Sequence, residues 1–243
     1  MRPEMTAPCG AVRDAGRMLP SRTRESFWVD GLYLDGLGFY GFDGKMDSET
    51  FSTAGRNVGH NNMPALLFDL VQRGAVDIVE HPAVVVEAWM MAEFPASKVD
   101  PGVWVDWFEN AGYTHDGRRS PRPAEPLTLY RGCAPERRFG MSWTTHLDRA
   151  RWFADRDLGH GKGKVYVYDA DPMALLACID EPGRHGAEYV VDPWFLSDDV
   201  VKMLDGSSGI FTVASAFPAS FSLYAWARPG EGVADRPHLA SRW

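Results

Sequence analysis

The sequence predicts an α+β fold, because a group of helices is followed along the chain by a group of strands. The helices fall within 64–112, where apolar residues recur at helical spacing. A connector rich in Pro and charged residues, 116–126, follows them. Beyond this connector, short segments show the alternation that is typical of β-strands. Segregated helices and strands of this kind are characteristic of α+β domains.

The three helices of the first group are predicted from the residues at their ends. Pro64 begins the first, and Gly74 ends it. Pro82 begins the second, PAVVVEAWMMAEF, which is apolar on nearly every side and is therefore expected to be buried. Asp100 caps the third, which ends before Gly112. A helical group of about 50 residues needs a neighbour that covers its apolar face.

The part of the chain that precedes these helices is less regular. Residues 1–25 mix Arg, Pro and Gly without periodicity and are predicted to be a flexible tail. In 27–59, Asp-Gly steps predict turns between short strands or an irregular meander. Asp43, Asp47 and Glu49 lack the spacing of a calcium loop and are interpreted as a solvated turn.

Strands dominate the second half of the chain, with helices between them. The predicted strands are 127–131, 141–144, 165–169, 188–192, 209–214 and 220–227. The predicted helices are 145–154, with Thr145 and Asp148 as a capping box, and segments near 171–178 and 197–204. The predicted organisation is therefore a tail at 1–25, a Gly/aromatic-rich and helical subdomain at 26–120, a second domain at 121–228 and a tail at 229–243.

Composition excludes several classes of protein. A formal net charge of −8 disfavours a strong footprint on nucleic acid. Cys9, Cys133 and Cys178 are too few and too scattered for a disulfide framework or a zinc site, and the histidines are not paired with acids, so no metal is expected. We find neither a secretory leader nor an apolar run long enough to span a membrane, which predicts a soluble, cytoplasmic protein.

Three polar residues stand inside segments that are otherwise apolar strands. Alternation places Arg131 on the same face as its apolar neighbours, and Glu188 shares a face with Val190 and Asp192. Ser142 lies in the strand between them. Charged groups on inward faces are costly unless they have partners. Either Arg131 pairs with Glu188 or Asp192 as a buried ion pair, or these residues bind a ligand.

The order of these three residues resembles the ADP-ribosyltransferase superfamily, in the branch with an Arg-Ser-Glu signature. The resemblance covers about 127–192: Arg131 lies in YRG, Ser142 in SWTT before a helix, and Glu188 in EYVVDP. It implies a split β-sandwich, here with an N-terminal helical subdomain. It also implies a transferase whose substrate NAD lies in the cleft between the two sheets, without a metal.

The resemblance implies a role for each residue of the site. Glu188 is expected to be catalytic, stabilising the oxocarbenium-like ribosyl cation that forms when the bond to nicotinamide breaks. Ser142 is expected to orient that carboxylate, although both hydroxyls of this strand have a structural alternative in capping the next helix. Arg156 falls near the expected phosphate position. The residues expected to bind NAD are Arg131, Gly132, Ser142, Thr144 and Phe153.

The acceptor of ADP-ribose is left open by the sequence. Relatives that modify arginine carry a second acid two positions before the catalytic Glu, where this chain has Gly186, so protein arginine is not the expected acceptor. His185 is a candidate base, and 159–164 (GHGKGK) is interpreted as a mobile turn. The alternatives are an NAD glycohydrolase that uses the same residues, and a binding module without activity. The resemblance also suggests a toxin-like effector that acts inside a host cell.

Overall fold

The described part of the protein combines four helices of the first half with one large mixed sheet, which confirms the predicted α+β class. This computed structural model describes residues 29–156, 163–180 and 186–204. The predicted elements that lie outside these residues are the tails at 1–25 and 229–243, the strands at 209–214 and 220–227, most of the turn at 159–164, and His185.

The helices of the first half are α1 (Ser48–Val58), α2 (Met63–Gln72), α3 (Ala83–Met91) and α4 (Pro101–Ala111). The last three confirm the predicted helices and their ends, except that α3 ends at Met91, three residues before the end of the predicted segment. The Asp100 carboxylate accepts from the Gly102 N–H over 2.8 Å, and Gly74 adopts a positive φ of 64° after α2. Short 3₁₀ helices lie at His60–Asn62, Pro95–Ser97, Pro135–Arg137, Pro172–Ala174 and Pro193–Phe195.

Helix α1 corrects the prediction of a meander up to residue 59. The hairpin of β1 (Leu32–Leu34) and β2 (Tyr40–Phe42) agrees with the predicted short strands and turns. Asp47, however, is the N-cap of α1, where its carboxylate accepts from the Thr50 N–H over 2.8 Å. The helix was missed because it buries little apolar surface: its buried residues are Phe51, Ala54 and Gly55.

The large sheet has eight strands among the described residues, in the order β10-β7-β5-β6-β9-β8-β3-β4. Neighbours are antiparallel except β3 and β8, which are parallel. The strands are β3 (Thr114–His115), β4 (Arg118–Arg119), β5 (Leu127–Cys133), β6 (Ser142–Thr144), β7 (Lys164–Ala170), β8 (Leu175–Ile179), β9 (Glu188–Val191) and β10 (Lys202–Met203). The strands predicted at 127–131, 141–144, 165–169 and 188–192 are confirmed as β5, β6, β7 and β9.

Two predicted helices are wrong. The segment near 171–178 forms a short 3₁₀ helix followed by strand β8, in which every residue is buried between β9 and β3. A short apolar run of this kind does not distinguish a buried strand from a buried helix. The segment near 197–204 forms a turn and then β10, which pairs with β7.

The sheet has two covered faces. On one, Ile179 and Val190 join the core formed by α1–α4, so we call it the helical face. On the other, which we call the second face, Leu129, Trp143 and Tyr168 belong to a separate core. The helical core thus continues across the domain boundary that was predicted at residue 120.

The connection between β5 and β6 is the weakest in the sheet. A single residue pair, Tyr130 and Thr144, joins these strands, whereas β5 and β7 pair over seven residues from Leu127 to Cys133. The sheet is therefore nearly divided into a half containing β5, β7 and β10 and a half containing β6, β9, β8, β3 and β4.

Candidate active site

The candidate site is built on a row of directly paired residues that crosses this junction. Tyr130 on β5 is opposite Thr144 on β6, and Thr144 is opposite Glu188 on β9. Directly opposite residues in antiparallel strands point to the same face. Glu188 is also opposite Ile179. Tyr130, Thr144 and Glu188 therefore all point to the helical face.

The side chain of Glu188 is hydrogen-bonded to a residue of the helical core. The Trp89 indole N–H on α3 donates to the Glu188 Oε1 over 3.0 Å. Trp89 is 4% exposed, and its ring packs edge-to-face on Trp104 and Phe108, with centroids 5.1 and 5.8 Å away. Because the indole is fixed by this packing and its bond to a carboxylate is charge-assisted, Trp89 orients the half-buried carboxyl group of Glu188.

Ser142 lies on the same face as Glu188 because of the register between β6 and β9. It is opposite Val190 and precedes Thr144 by two positions, so Ser142 and Thr144 both neighbour Glu188 on the helical face. The hydroxyl of Thr144, which is 6% exposed, accepts from the His146 N–H over 3.2 Å. The hydroxyl of Thr144 therefore supports the corner between β6 and the following helix.

Arg131 lies on the second face, because it follows Tyr130 in β5 and is directly opposite Tyr166. Its guanidinium donates from Nε to the Arg137 carbonyl over 3.0 Å and from Nη1 to the Ser142 carbonyl over 2.5 Å. Both of these acceptors are backbone carbonyls. The ion-pair alternative had instead predicted that Arg131 pairs with the carboxylate of Glu188 or Asp192. Arg131 therefore links β5 to β6 through hydrogen bonds. It does not lie on the same face of the sheet as Glu188.

Helix α5 (Leu147–Asp155) covers β5 on the helical face and explains Gly132. A Cβ at Gly132 would lie 1.7 Å from the Ala150 carbonyl oxygen and 2.6 Å from the Ala154 nitrogen, both in the backbone of α5. Packing of α5 against β5 therefore requires a glycine at this position. The resemblance had implied that Gly132 lets NAD approach the backbone, but the backbone of α5 fills that space. The predicted capping box is also wrong, since α5 has His146 as its N-cap and no side chain caps it.

The exposed side of α5 carries aromatic rings and guanidinium groups in contact. Phe153 and Trp152 are 39% and 57% exposed, with ring centroids 5.0 Å apart. The Arg156 guanidinium lies 5.0 Å from the Trp152 ring centroid and 3.9 Å from the carboxylate of Glu93, just beyond α3. Arg149 lies 5.8 Å from the Phe153 centroid. The contact between Arg156 and Glu93 therefore brings the end of α5 close to the end of α3.

A contact beside Glu188 was not predicted from the sequence. Gly186 has a φ of 98°, and a Cβ there would lie 2.3 Å from Cδ2 of the exposed His146 ring. The Arg149 Nη1 donates to the Gly186 carbonyl over 2.9 Å. His146 and Arg149 thus contact the chain two residues before Glu188. The only sequence signal for them was their position directly after the Ser142–Thr144 strand.

Burial on the second face disfavours ionisation of the side chains next to the site. Burial, followed by the Cys178 thiol, raises the pKa of Tyr189 to about 12. Burial also raises the pKa of the Cys133 thiol, even though the Arg131 guanidinium nearby acts to lower it. A thiolate nucleophile is therefore disfavoured at Cys133.

Within the described residues, no group of three or more His, Cys, Asp or Glu side chains is arranged to hold a metal ion. No helix in the same residues has the length and apolar character needed to cross a membrane. Comparisons with protein-family models, with curated proteins and with solved structures find no match to this chain.

Proposed function

We propose that this protein is an NAD-dependent mono-ADP-ribosyltransferase whose catalytic residue is Glu188. The observation that carries the proposal is the placement of Ser142, Thr144 and Glu188 on one face of β6 and β9, with the carboxyl group oriented by Trp89. The Arg-Ser-Glu order of the sequence adds to it. The nearly divided sheet also supports an ADP-ribosyltransferase-like split β-sandwich, because strands β5 and β6 meet at a single pair.

The reaction assigns Glu188 an electrostatic role. As the bond between nicotinamide and ribose C1′ lengthens, positive charge develops on the sugar. A carboxylate that accepts from the ribose 2′-hydroxyl stabilises this charge more in the transition state than in the ground state. The indole of Trp89 keeps one carboxyl oxygen in place without neutralising the charge of the group. Ser142 and Thr144 supply hydroxyls beside it.

Arg131 takes a positioning role in this proposal, which revises the expected contact with the NAD phosphates. Its guanidinium lies on the second face and donates a hydrogen bond to the Ser142 carbonyl. A planar guanidinium can hold two acceptors in a fixed orientation. Arg131 therefore sets the position of β6, and with it the Ser142 hydroxyl, relative to β5.

The exposed side of α5 fits the remaining parts of NAD. Phe153 presents an accessible ring on which a nicotinamide can stack. Arg156, the C-cap of α5, places positive charge at the end of the same helix, where the diphosphate needs it. Phe153 thus keeps its expected role, and Arg156 is the candidate for the phosphate groups, whereas Arg149 donates to the Gly186 carbonyl beside Glu188.

NAD hydrolysis is the second candidate function, in which water takes the place of the acceptor. The observation that favours it is the glycine at residue 186, which provides no acid to activate an arginine acceptor. The two activities share Glu188 and differ in the fate of the ADP-ribose.

Incubation of the purified protein with NAD labelled in its adenylate phosphate, with and without cell lysate, tests the proposal. Label on a macromolecule supports transfer, and free ADP-ribose alone supports hydrolysis. The Glu188→Gln variant should give neither product. Intact NAD after incubation with the folded protein would overturn both enzymatic functions, and calorimetry with NAD would then test whether the chain only binds the dinucleotide.

A further inference from the structure

The imidazole of His146 occupies the space beside Glu188 that a side chain at residue 186 would fill. A Cβ on Gly186 would lie 2.3, 2.6 and 2.8 Å from Cδ2, Cγ and Nε2 of this ring. The left-handed φ of 98° at Gly186 also strains any other residue there. The ring is exposed, so a bound molecule can reach it.

The surroundings of His146 are polar and partly cationic. Arg149 lies three residues after His146, and its Nη1 donates to the Gly186 carbonyl over 2.9 Å. The main-chain N–H of His146 donates to Thr144 Oγ1, so the start of α5 is tied to the residue directly opposite Glu188. Among the described residues, these contacts place two charged side chains at this corner, Glu188 on β9 and Arg149 on α5, while Asp148 is paired with Arg151 over 3.1 Å.

We propose that His146 is the general base of the reaction and that the acceptor is a hydroxyl group, water included; this inference rests on the proposed function. Imidazole is the commonest general base, and a hydroxyl must lose a proton when it is glycosylated. The acceptor oxygen forms a bond to ribose C1′ as the C1′–N bond breaks. The electron pair of that bond stays on nicotinamide, which leaves neutral, and the hydroxyl proton passes to His146.

The same corner disfavours a guanidinium acceptor. A protonated arginine substrate would approach the fixed positive charge of Arg149 and would meet a histidine where a carboxylate is needed to attract and deprotonate it. A neutral hydroxyl meets no such repulsion. The sequence argued against an arginine acceptor because residue 186 is not an acid. The structure adds that the His146 ring lies where the side chain of such an acid would lie.

Nicotinamide release and product analysis with methanol and agmatine as probe acceptors test this inference. The wild-type protein should form O-methyl ADP-ribose or free ADP-ribose and little agmatine adduct. His146→Ala should lower the rate of NAD cleavage by about 10²–10⁴-fold, as expected for a lost general base. His146→Gln, which keeps a polar side chain, should lose as much. Thr145→Ala, an exposed neighbour, is the matched control and should retain the wild-type rate.

Chemical rescue separates a proton acceptor from a merely structural residue. Free imidazole should restore part of the lost rate in His146→Ala, in proportion to its concentration, and should leave the wild type and Glu188→Gln unchanged. A His146→Ala variant that cleaves NAD at the wild-type rate, fails to respond to imidazole or prefers agmatine overturns the inference but leaves the transferase proposal standing. Absence of NAD cleavage by the wild type overturns the proposed function itself.

Discussion

The Trp89 indole on α3 donates a hydrogen bond to the Glu188 carboxylate on β9 across 99 positions of sequence. Trp89 belongs to the core of the helices, and Glu188 stands on the sheet next to Thr144. This contact joins the two predicted parts of the chain at the candidate catalytic group. The helices of the first half therefore do more than cover the sheet, since one of them orients the carboxylate.

Replacing Trp89 with Phe should destabilise the protein. The change removes the donor to a partly buried carboxylate and leaves a gap in the aromatic cluster, so we expect the free energy of unfolding to fall by about 2 kcal/mol or more. Urea unfolding followed by circular dichroism measures it. Trp152→Phe, at a position 57% exposed, is the control and should change stability little. Equal stability of Trp89→Phe and wild type would show that the bond to Glu188 contributes nothing.

Gly132→Ala should displace helix α5. The added methyl would lie 1.7 Å from the Ala150 carbonyl oxygen, and a helix backbone cannot rotate away as a side chain can. We expect a loss of about 3 kcal/mol, at the upper end of overpacking costs. Gly36, where a Cβ meets no atom within 4 Å, provides the control, and Gly36→Ala should be nearly neutral. If both variants melt at the wild-type temperature, the close contact of α5 with β5 is refuted.

Arg131→Lys tests whether this residue positions β6 or binds NAD directly. A lysine cannot span the Arg137 and Ser142 carbonyls as the guanidinium does, so stability should drop by about 1–3 kcal/mol. Arg118→Lys, at an exposed site, should be neutral. Direct binding of NAD by Arg131 predicts the opposite pattern, in which unfolding is unchanged and the KM for NAD rises.

Stability should fall at alkaline pH because of the buried Tyr168 and the half-buried Tyr189. Burial raises the pKa of Tyr168 and of Tyr189 from 10.0 to about 12. Between pH 10 and pH 12 the unfolded chain loses these protons while the folded protein keeps them, so this contribution is complete below pH 10 and is lost as pH approaches 12. Urea midpoints across that range measure the decline. Tyr189→Phe should reduce its slope, and an unchanged slope in this variant would contradict the assignment.

Local chemistry made much of the helical half predictable. The ends of α2, α3 and α4 are marked by Pro64, Gly74, Pro82, Asp100 and Gly112, and the structure confirms them. Helix α1 was missed because its apolar stripe is thin, although Asp47 and Thr50 form a recognisable cap. Strand β8 was mistaken for a helix because its pattern, LLACI, is apolar throughout and its identity depends on β9 and β3.

For the candidate site, the alternation of residues along each strand predicts which side chains of that strand share a face, but it does not predict which strands pair. The common face of Ser142 and Thr144 follows from their spacing, but their position opposite Val190 and Glu188 is a matter of register between distant strands. The placement of Arg131 on the other face depends on its pairing with Tyr166, which local sequence does not encode. Trp89 and His146 were missed for the same reason, since tertiary packing alone brings them to β9.

The rate of nicotinamide release from NAD by wild type and by Glu188→Gln tests the central claim most directly. The Gln amide oxygen can still accept from Trp89, so the variant should fold with nearly wild-type stability. We predict that it releases nicotinamide about 10²–10³ times more slowly, because the charge that stabilises the ribosyl cation is gone. Equal rates for the two proteins would remove Glu188 from the reaction and contradict the account.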